Sequence, residues 1–213
     1  TTTLTYDTNI GKPYLVKDPN GVQTYYDYVD WTNNQADPLD RLRLVEYATG
    51  TSDQRRTSWI FPNATTVIQQ QDQNVGGDNL LKTTTFYDGF GRPIKTQTAD
   101  PDGDVYTQQS YNGLGLVGSA SNPYRSGDPI YNTTYGYDFL GRQTSVTTPD
   151  GAVTGTSYSQ NVATFTDAAG HQRQTTTDAL GRMTKVVEDP ASSNFATTYT
   201  YDSMSNLTGV TQG

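Results

Sequence analysis

The stretch "FYDGFGRPIKTQTADPDG", residues 86–103, decides the fold of this chain. It holds a Tyr-Asp pair, a Gly-Arg pair, an alternating polar run and a second turn built from Asp, Pro and Gly. Nearly the same wording returns as "YDFLGRQTSVTTPDG" at 137–151 and as "TDALGRMTKVVEDP" at 177–190. Runs such as "KTQTA", "TSVTT" and "HQRQTTT" alternate in face and offer almost no 3.6-residue apolar stripe, so they read as strands. Turn signals follow at Asp88, Asp100 to Gly103, Asn112-Gly113, Asp138, Asp150-Gly151, Asp167, Asp178, Asp189-Pro190 and Asp202. In the best-preserved stretches they lie 11 to 13 residues apart. That interval holds one strand of roughly six to eight residues and its turn. Two such units make a repeat of 24 residues, as from Asp88 to Asn112 and from Asp178 to Asp202.

The turns carry their own mechanism. Five of the ten prolines follow Asp, at Asp18, Asp37, Asp100, Asp128 and Asp189. Proline presets φ for a turn, and the Asp before it can accept backbone amides further along. Gly after Asp or Asn accepts the positive φ of a tight hairpin. Working outward, "TYDTNIGKPYLVKDPNG" (5–21) and "ADPLDRLRLVEYA" (36–48) repeat less cleanly, and the irregular stretch 55–73 reads as strand. The expectation is all-β: an antiparallel meander of β-hairpin repeats. It forms one module over 1–213, less regular over 1–80 and well preserved over 81–213.

Composition narrows the function. Only 32% of the 213 residues are hydrophobic and mean hydropathy is -0.71, well below an ordinary globular domain. Disorder is opposed by 16 Tyr, 36 Thr and a scatter of Val and Ile, residues that favour strands. The net charge of -8 and pI near 4.4 argue against nucleic acid and against an anionic membrane surface. There is no Cys, hence no disulfide and no thiolate metal site. No apolar run reaches transmembrane length, so no membrane insertion is expected. The chain begins "TTTLTYD" without Met and reads as a fragment of a longer protein.

The phrases "FYDGFGRPIKTQT", "YGYDFLGRQTSVTTPDG" and "YTYDSMSNLTGV" resemble the Tyr-Asp motif of the Rhs/YD-repeat family. That family includes bacterial Rhs toxins, the B and C components of Tc toxins, teneurins and cell-wall-associated proteins. The resemblance implies hairpins joined side by side into a curved or spiralling single-layer sheet, part of a shell that often encloses a toxin domain. It also implies a secreted or bacterial cell-surface location.

The motif residues are Tyr6, Asp7, Tyr26, Asp27, Tyr87, Asp88, Gly91, Arg92, Tyr137, Asp138, Gly141, Arg142, Asp178, Gly181, Arg182, Tyr201 and Asp202. The tyrosines are expected to line up in ladders, supplying apolar area while their hydroxyls reach a partner. The aspartates accept turn amides, the glycines allow the turn, and the arginines pair with carboxylates or stack on Tyr.

Reactive groupings are sparse. "DPDGD" (100–104) spaces carboxylates like a calcium loop, but Val105 and Tyr111 stand where an EF-hand needs Gly and Glu, so a solvated turn is expected. The single histidine, His171, sits in a turn. No acid pair lies in an apolar context, and no phosphate loop or zinc motif occurs. The expectation is a non-enzymatic structural module with no cofactor and no metal. Its partners are neighbouring repeats of its own parent chain, an encapsulated toxin domain, or copies of itself joined edge to edge. The alternative is a carbohydrate-binding or adhesive module that offers Tyr and Trp rings to a surface glycan.

Overall fold

The structure, a computed structural model, describes residues 1–30 and 35–213. Trp31, which with Trp59 and the tyrosines would supply rings for glycan stacking, lies outside the described residues. The chain divides into two units, residues 1–108 with 123–129, and residues 109–122 with 130–213. The loss of repeat regularity near residue 80 therefore falls inside the first unit rather than at a boundary.

In the first unit, β1 (Thr3–Asp7), β2 (Lys12–Lys17) and β3 (Gln23–Asp27) form a meander. The connection from β3 to β6 (Leu44–Tyr47) carries a separate ribbon of β4 (Val29–Asp30) and β5 (Gln35–Ala36). The ladder continues through β7 (Arg55–Asn63), β8 (Thr66–Gln71), β9 (Leu81–Tyr87) and β10 (Pro93–Thr98) to β11 (Val105–Tyr111). There β13 (Tyr124–Arg125) pairs with the first residues of β11.

In the second unit, the last residues of β11 pair with β12 (Val117–Ser121), which pairs in turn with β14 (Asn132–Tyr137). Then follow β15 (Gln143–Thr147), β16 (Val153–Ser159), β17 (Val162–Thr166) and β18 (Gln172–Thr177). Last come β19 (Met183–Glu188), β20 (Phe195–Tyr201) and β21 (Leu207–Gln212). Every pairing among the described residues is antiparallel, and they contain no helix. The irregular stretch 55–73 is strand: β7 and β8, with Pro62 tolerated where the register slips between Ile60 and Asn63.

Successive turns alternate between the two strand ends. One end, the motif rim, carries the Asp-x-x-Gly-Arg turns. At these turns the register shifts by one residue, between Gly136 and Tyr137, Thr176 and Thr177, and Thr200 and Tyr201. This is a type I turn followed by a left-handed residue in a bulge, the usual three-residue hairpin.

The units have almost no filled core. Among the described residues the buried apolar side chains are Ala48, Val186 and Val187. The chain exposes 13566 Å², whereas a compact protein of its mass exposes about 9,700 Å². The sheet is therefore open rather than sandwiched, and Thr, Gln and Tyr, content on a half-wet surface, occupy its faces.

Gly181 sits at φ 78°, with nothing within 4 Å of where a Cβ would be placed. Ser205 holds the equivalent position of the last turn at φ 68°. Backbone conformation alone should therefore separate the two substitutions. Gly181→Ala is expected to cost ~1–2 kcal/mol, and Ser205→Gly to stabilise by up to ~1 kcal/mol. Chemical denaturation midpoints check both.

Candidate functional site

The recurring site is the motif-rim turn, whose geometry repeats closely. Asp88 Oδ1 accepts the amides of Phe90 at 2.9 Å and Arg92 at 3.0 Å, and Arg92 Nε donates to Oδ2 at 2.7 Å. Asp138 receives Leu140, Arg142 and Arg142 Nε at 2.9, 3.0 and 2.7 Å. Asp178 receives Leu180, Arg182 and Arg182 Nε at the same three distances. In each turn the Asp amide donates to the Arg carbonyl, and the Gly amide donates to the Asp carbonyl. Gly91, Gly141 and Gly181 carry the positive φ. The carboxylates titrate below their ordinary range. For Asp178 the main cause is the Arg182 side chain, and for Asp88 it is the Arg92 amide.

Four further turns keep this frame with altered chemistry. Asn112 accepts Leu114 and Leu116 amides without a charge. Asp202 binds Asn206 in place of Arg. Asp167 binds His171 through both its amide and its ring, Nδ1 to Oδ2 at 2.9 Å. Asp18 accepts Asn20 and Val22 amides. The last two lie on the rim opposite the motif turns. The shared sequence signal is an acceptor at position one and a left-handed residue at position four.

Sequence reading missed a buried variant. Asp37 is fully buried and takes Arg41 Nε and Nη2 at 3.0–3.2 Å, with Arg43 on its other side. Burial pulls its pKa upward, yet the Arg41 hydrogen bonds, the Leu39 and Arg41 amides and the Arg43 charge hold it well below the carboxylate range. Both guanidiniums lie over Phe61, 3.9 and 4.7 Å from its centroid. The signal was present as "DPLDR", with Asp40 at φ 49° where the other copies have Gly.

The tyrosines do not form continuous ladders. Among the described residues, ring pairs occur at Tyr14–Tyr25, 6.4 Å edge-on, and Tyr106–Tyr124, 5.6 Å stacked. Motif tyrosines of successive hairpins stand two strands apart, about 9.6 Å, beyond ring contact. Four tyrosines, Tyr137 and Tyr201 of the motif together with Tyr28 and Tyr158, reach instead to the strand just past the turn of the preceding hairpin. Tyr201 donates to the Met183 carbonyl at 2.8 Å and has Arg182 over its ring at 4.9 Å. Tyr158 donates to Gln143 at 3.1 Å beneath Arg142 at 4.1 Å. Tyr28 donates to Pro13 at 3.3 Å beneath Lys12 at 5.3 Å. Tyr137 donates to the Val117 carbonyl at 2.9 Å. The Tyr of Tyr-Asp at Tyr137 and Tyr201 thus fastens onto the hairpin before it, while the Asp closes its own turn.

The first unit departs from this scheme. Asp27 accepts the Val29 amide and leads into the β4–β5 ribbon rather than a tight turn. Beside it Tyr6, Tyr14, Tyr25, Tyr26 and Tyr28, with Asp7 and Asp27, line a cleft of about 440 Å³. Burial, and then the charges of Asp27 and Glu46, raise the pKa of Tyr25. Tyr87 joins the frame through its amide, which donates to the Thr65 carbonyl. At 100–104, Asp100 pairs with Arg125 at 3.0 Å and accepts the Asp102 amide.

No family model matches the chain, and no curated protein does. Among solved structures it is similar to one described as the crystal structure of TcdB2-TccC3-TEV, with a TM-score of 0.75 and 13% identity. The match covers 99% of this chain and 17% of that one. A Photorhabdus luminescens Tc holotoxin pore aligns over 100% of this chain and 15% of its own at 15% identity, with a TM-score of 0.41. The chain spans under a fifth of the length of these structures. The first likeness shows the fold alone: the antiparallel meander of hairpins is shared with that structure over nearly the whole of this chain.

Two measurements probe the turn and its fastening. Tyr201→Phe removes only the hydroxyl and is expected to cost ~1 kcal/mol. A double-mutant cycle of Arg182→Leu with Tyr201→Leu should return a coupling of ~0.5–1 kcal/mol, and zero coupling would deny the stacking a role. For His171, the Asp167 hydrogen bond and then its charge raise the pKa. Its stabilising share is therefore full below the unfolded value of ~6.5 and fades as pH rises through the higher folded value. An NMR titration should place the imidazole midpoint above ~6.5, and Asp167→Asn should return it there.

Proposed function

We propose that this chain is a non-enzymatic structural module, a stretch of YD-repeat wall within a larger secreted or cell-surface bacterial protein. Its work is to scaffold or enclose, and its first partners are neighbouring repeats of its own parent chain. The observation that supports this most directly is the fastening of hairpins to the ones before them by Tyr28, Tyr137, Tyr158 and Tyr201. Those contacts use the motif tyrosines and arginines for cohesion between repeats, leaving the polar side chains to face water on an open sheet. The likeness in fold to a Tc toxin component supports the same reading. An enclosed toxin domain is the cargo that such a wall suits.

The Tyr-lined cleft of the first unit favours one other reading, glycan binding. Aromatic faces flanked by carboxylates suit the stacked rings and hydroxyls of a sugar. Trp59 lines a separate concavity with Phe61 and Tyr28, of about 480 Å³.

Small-angle scattering on the monomer separates the two readings. A filled 213-residue globule has a radius of gyration near ~17 Å. The wall reading expects a clearly larger value together with a β-rich circular dichroism spectrum. A value near 17 Å, with glycan-array binding lost in Tyr14→Ala, would move the function to the cleft.

A further inference from the structure

The third residue of the motif-rim turns is a large apolar side chain turned into solvent. In the second unit these are Leu114, 58% exposed, Leu140 at 79%, Leu180 at 73% and Met204 at 82%, with Phe139 beside Leu140 at 100%. In the first unit Leu39 and Phe90 hold the same turn position, at 70% and 85%. The turn needs no side chain there, because its hydrogen bonds use the Asp carboxylate and backbone amides. Burial within the hairpin does not account for these residues, and their recurrence at one turn position leaves a row of apolar side chains open to an outside contact.

The ladder of the second unit fixes the order of the tips along the rim: Leu114, Leu140, Gln160, Leu180, Met204. Gln160, exposed and at φ 52°, stands where β16 turns into β17. Neighbouring tips are two strands apart, about 9.6 Å, so the row runs about 38 Å. Its pattern is apolar, apolar, polar, apolar, apolar, and it reads the same from either end. A two-fold axis at Gln160 would set Leu114 against Met204, Leu140 against Leu180 and Gln160 against itself, as an isologous contact requires.

Charge selects the same pairing. On the motif rim Asp138 and Asp178 are neutralised by Arg142 and Arg182. The opposite rim presents Asp150, Asp167 and Asp189, faced by His171 at Asp167. Two such acidic rims repel, and apolar tips pressed against carboxylates would strip them of water.

We infer that the motif rim of the second unit is a docking edge for a second row of hairpin tips of the same kind, here a second copy of this chain related by a two-fold axis. This goes beyond the wall reading and depends only on the fold. A strip ~38 Å long and one tip wide, ~10 Å, buries on the order of 400 Å² a side, below a standard interface, so the dimer is weak.

Sedimentation velocity over a concentration series tests this, with circular dichroism to verify that each variant is folded. The wild-type chain should associate to a dimer. Leu140→Ser with Leu180→Ser, both at exposed tips, should weaken it at least tenfold. Gln160→Leu, which places leucine on leucine at the axis, should tighten it severalfold. Val210→Lys on β21, the last strand of the ladder and 54% exposed, should leave it unchanged. A wild-type chain monomeric to ~1 mM overturns the proposal, as does association that survives the tip variants or disappears with Val210→Lys. The last result would mean strand-edge pairing instead. Scattering on the tip variant as a monomer reports on the wall reading separately, so the two ideas fail independently.

Discussion

The continuous antiparallel ladder is the constraint on which the rest of the architecture depends. At Tyr28, Tyr137, Tyr158 and Tyr201 a tyrosine hydroxyl reinforces it by bonding a carbonyl just past the turn of the preceding hairpin. A single antiparallel hairpin is marginal in water, and the ladder bonds between neighbours are shared with competing water. What makes one hairpin hold the next is a contact that is partly apolar and partly directional. The Arg that clamps its own Asp lays its guanidinium over the next ring, as Arg142 does over Tyr158 and Arg182 over Tyr201. One side chain thereby closes a turn within its own hairpin and supplies the platform for the following one. This accounts for the adjacency of Tyr and Asp in the motif. At the same strand end, one residue must face backward along the ladder and the next must cap the turn ahead.

The departures show which parts of the motif are structural requirements. Asn112 does the work of Asp without a charge, so the requirement at that position is an acceptor oxygen. Asn206 and His171 replace the Arg and still reach the carboxylate. At Tyr137 the residue that follows the turn frame is Leu116 rather than Arg, and the hydroxyl still finds the Val117 carbonyl. Charge is therefore a refinement, and its value is limited because the pairs are solvated. The exception is Asp37, fully buried between Arg41 and Arg43, where removing one partner would strand an ion away from water. There the same turn pattern has become the polar centre of the first unit's irregular end.

Much of the fold was legible because its rules are local. Turn spacing, Asp-Pro and Asp-Gly dipeptides and period-two alternation place the strands of the second unit closely. The roles of Asp88, Asp138 and Asp178 follow from what an Asp can do at a turn. The partners of the tyrosines were not legible in the same way. Tyr158 lies 16 positions beyond Arg142 in the chain, and only the register of β15 with β16 brings them together. The expected ladders failed on distance alone, since rings two strands apart cannot touch. Asp37 was overlooked as a clamp because Asp40 replaces the glycine that marks the pattern elsewhere.

A sheet assembled by nearest-neighbour contacts can lengthen by any number of repeats without altering those already placed, as in other quasi-one-dimensional folds. In such a sheet each repeat meets the same neighbours as the next. Special features then arise where the repeat is interrupted, because only there are residues released from the duties of the motif. The β4–β5 ribbon is such an interruption. By replacing a tight turn between Asp27 and Arg43 it lets Tyr25, Tyr26 and Tyr28 converge with Tyr6 and Tyr14 on one concavity. The regular turns offer the converse, a position whose side chain takes no part in the turn's hydrogen bonds and is occupied by Leu, Phe or Met. Cohesion along the sheet uses the aromatic and charged members of the motif. What remains available for contact across the rim is the apolar tip, and its recurrence at the same turn position follows from that division of labour.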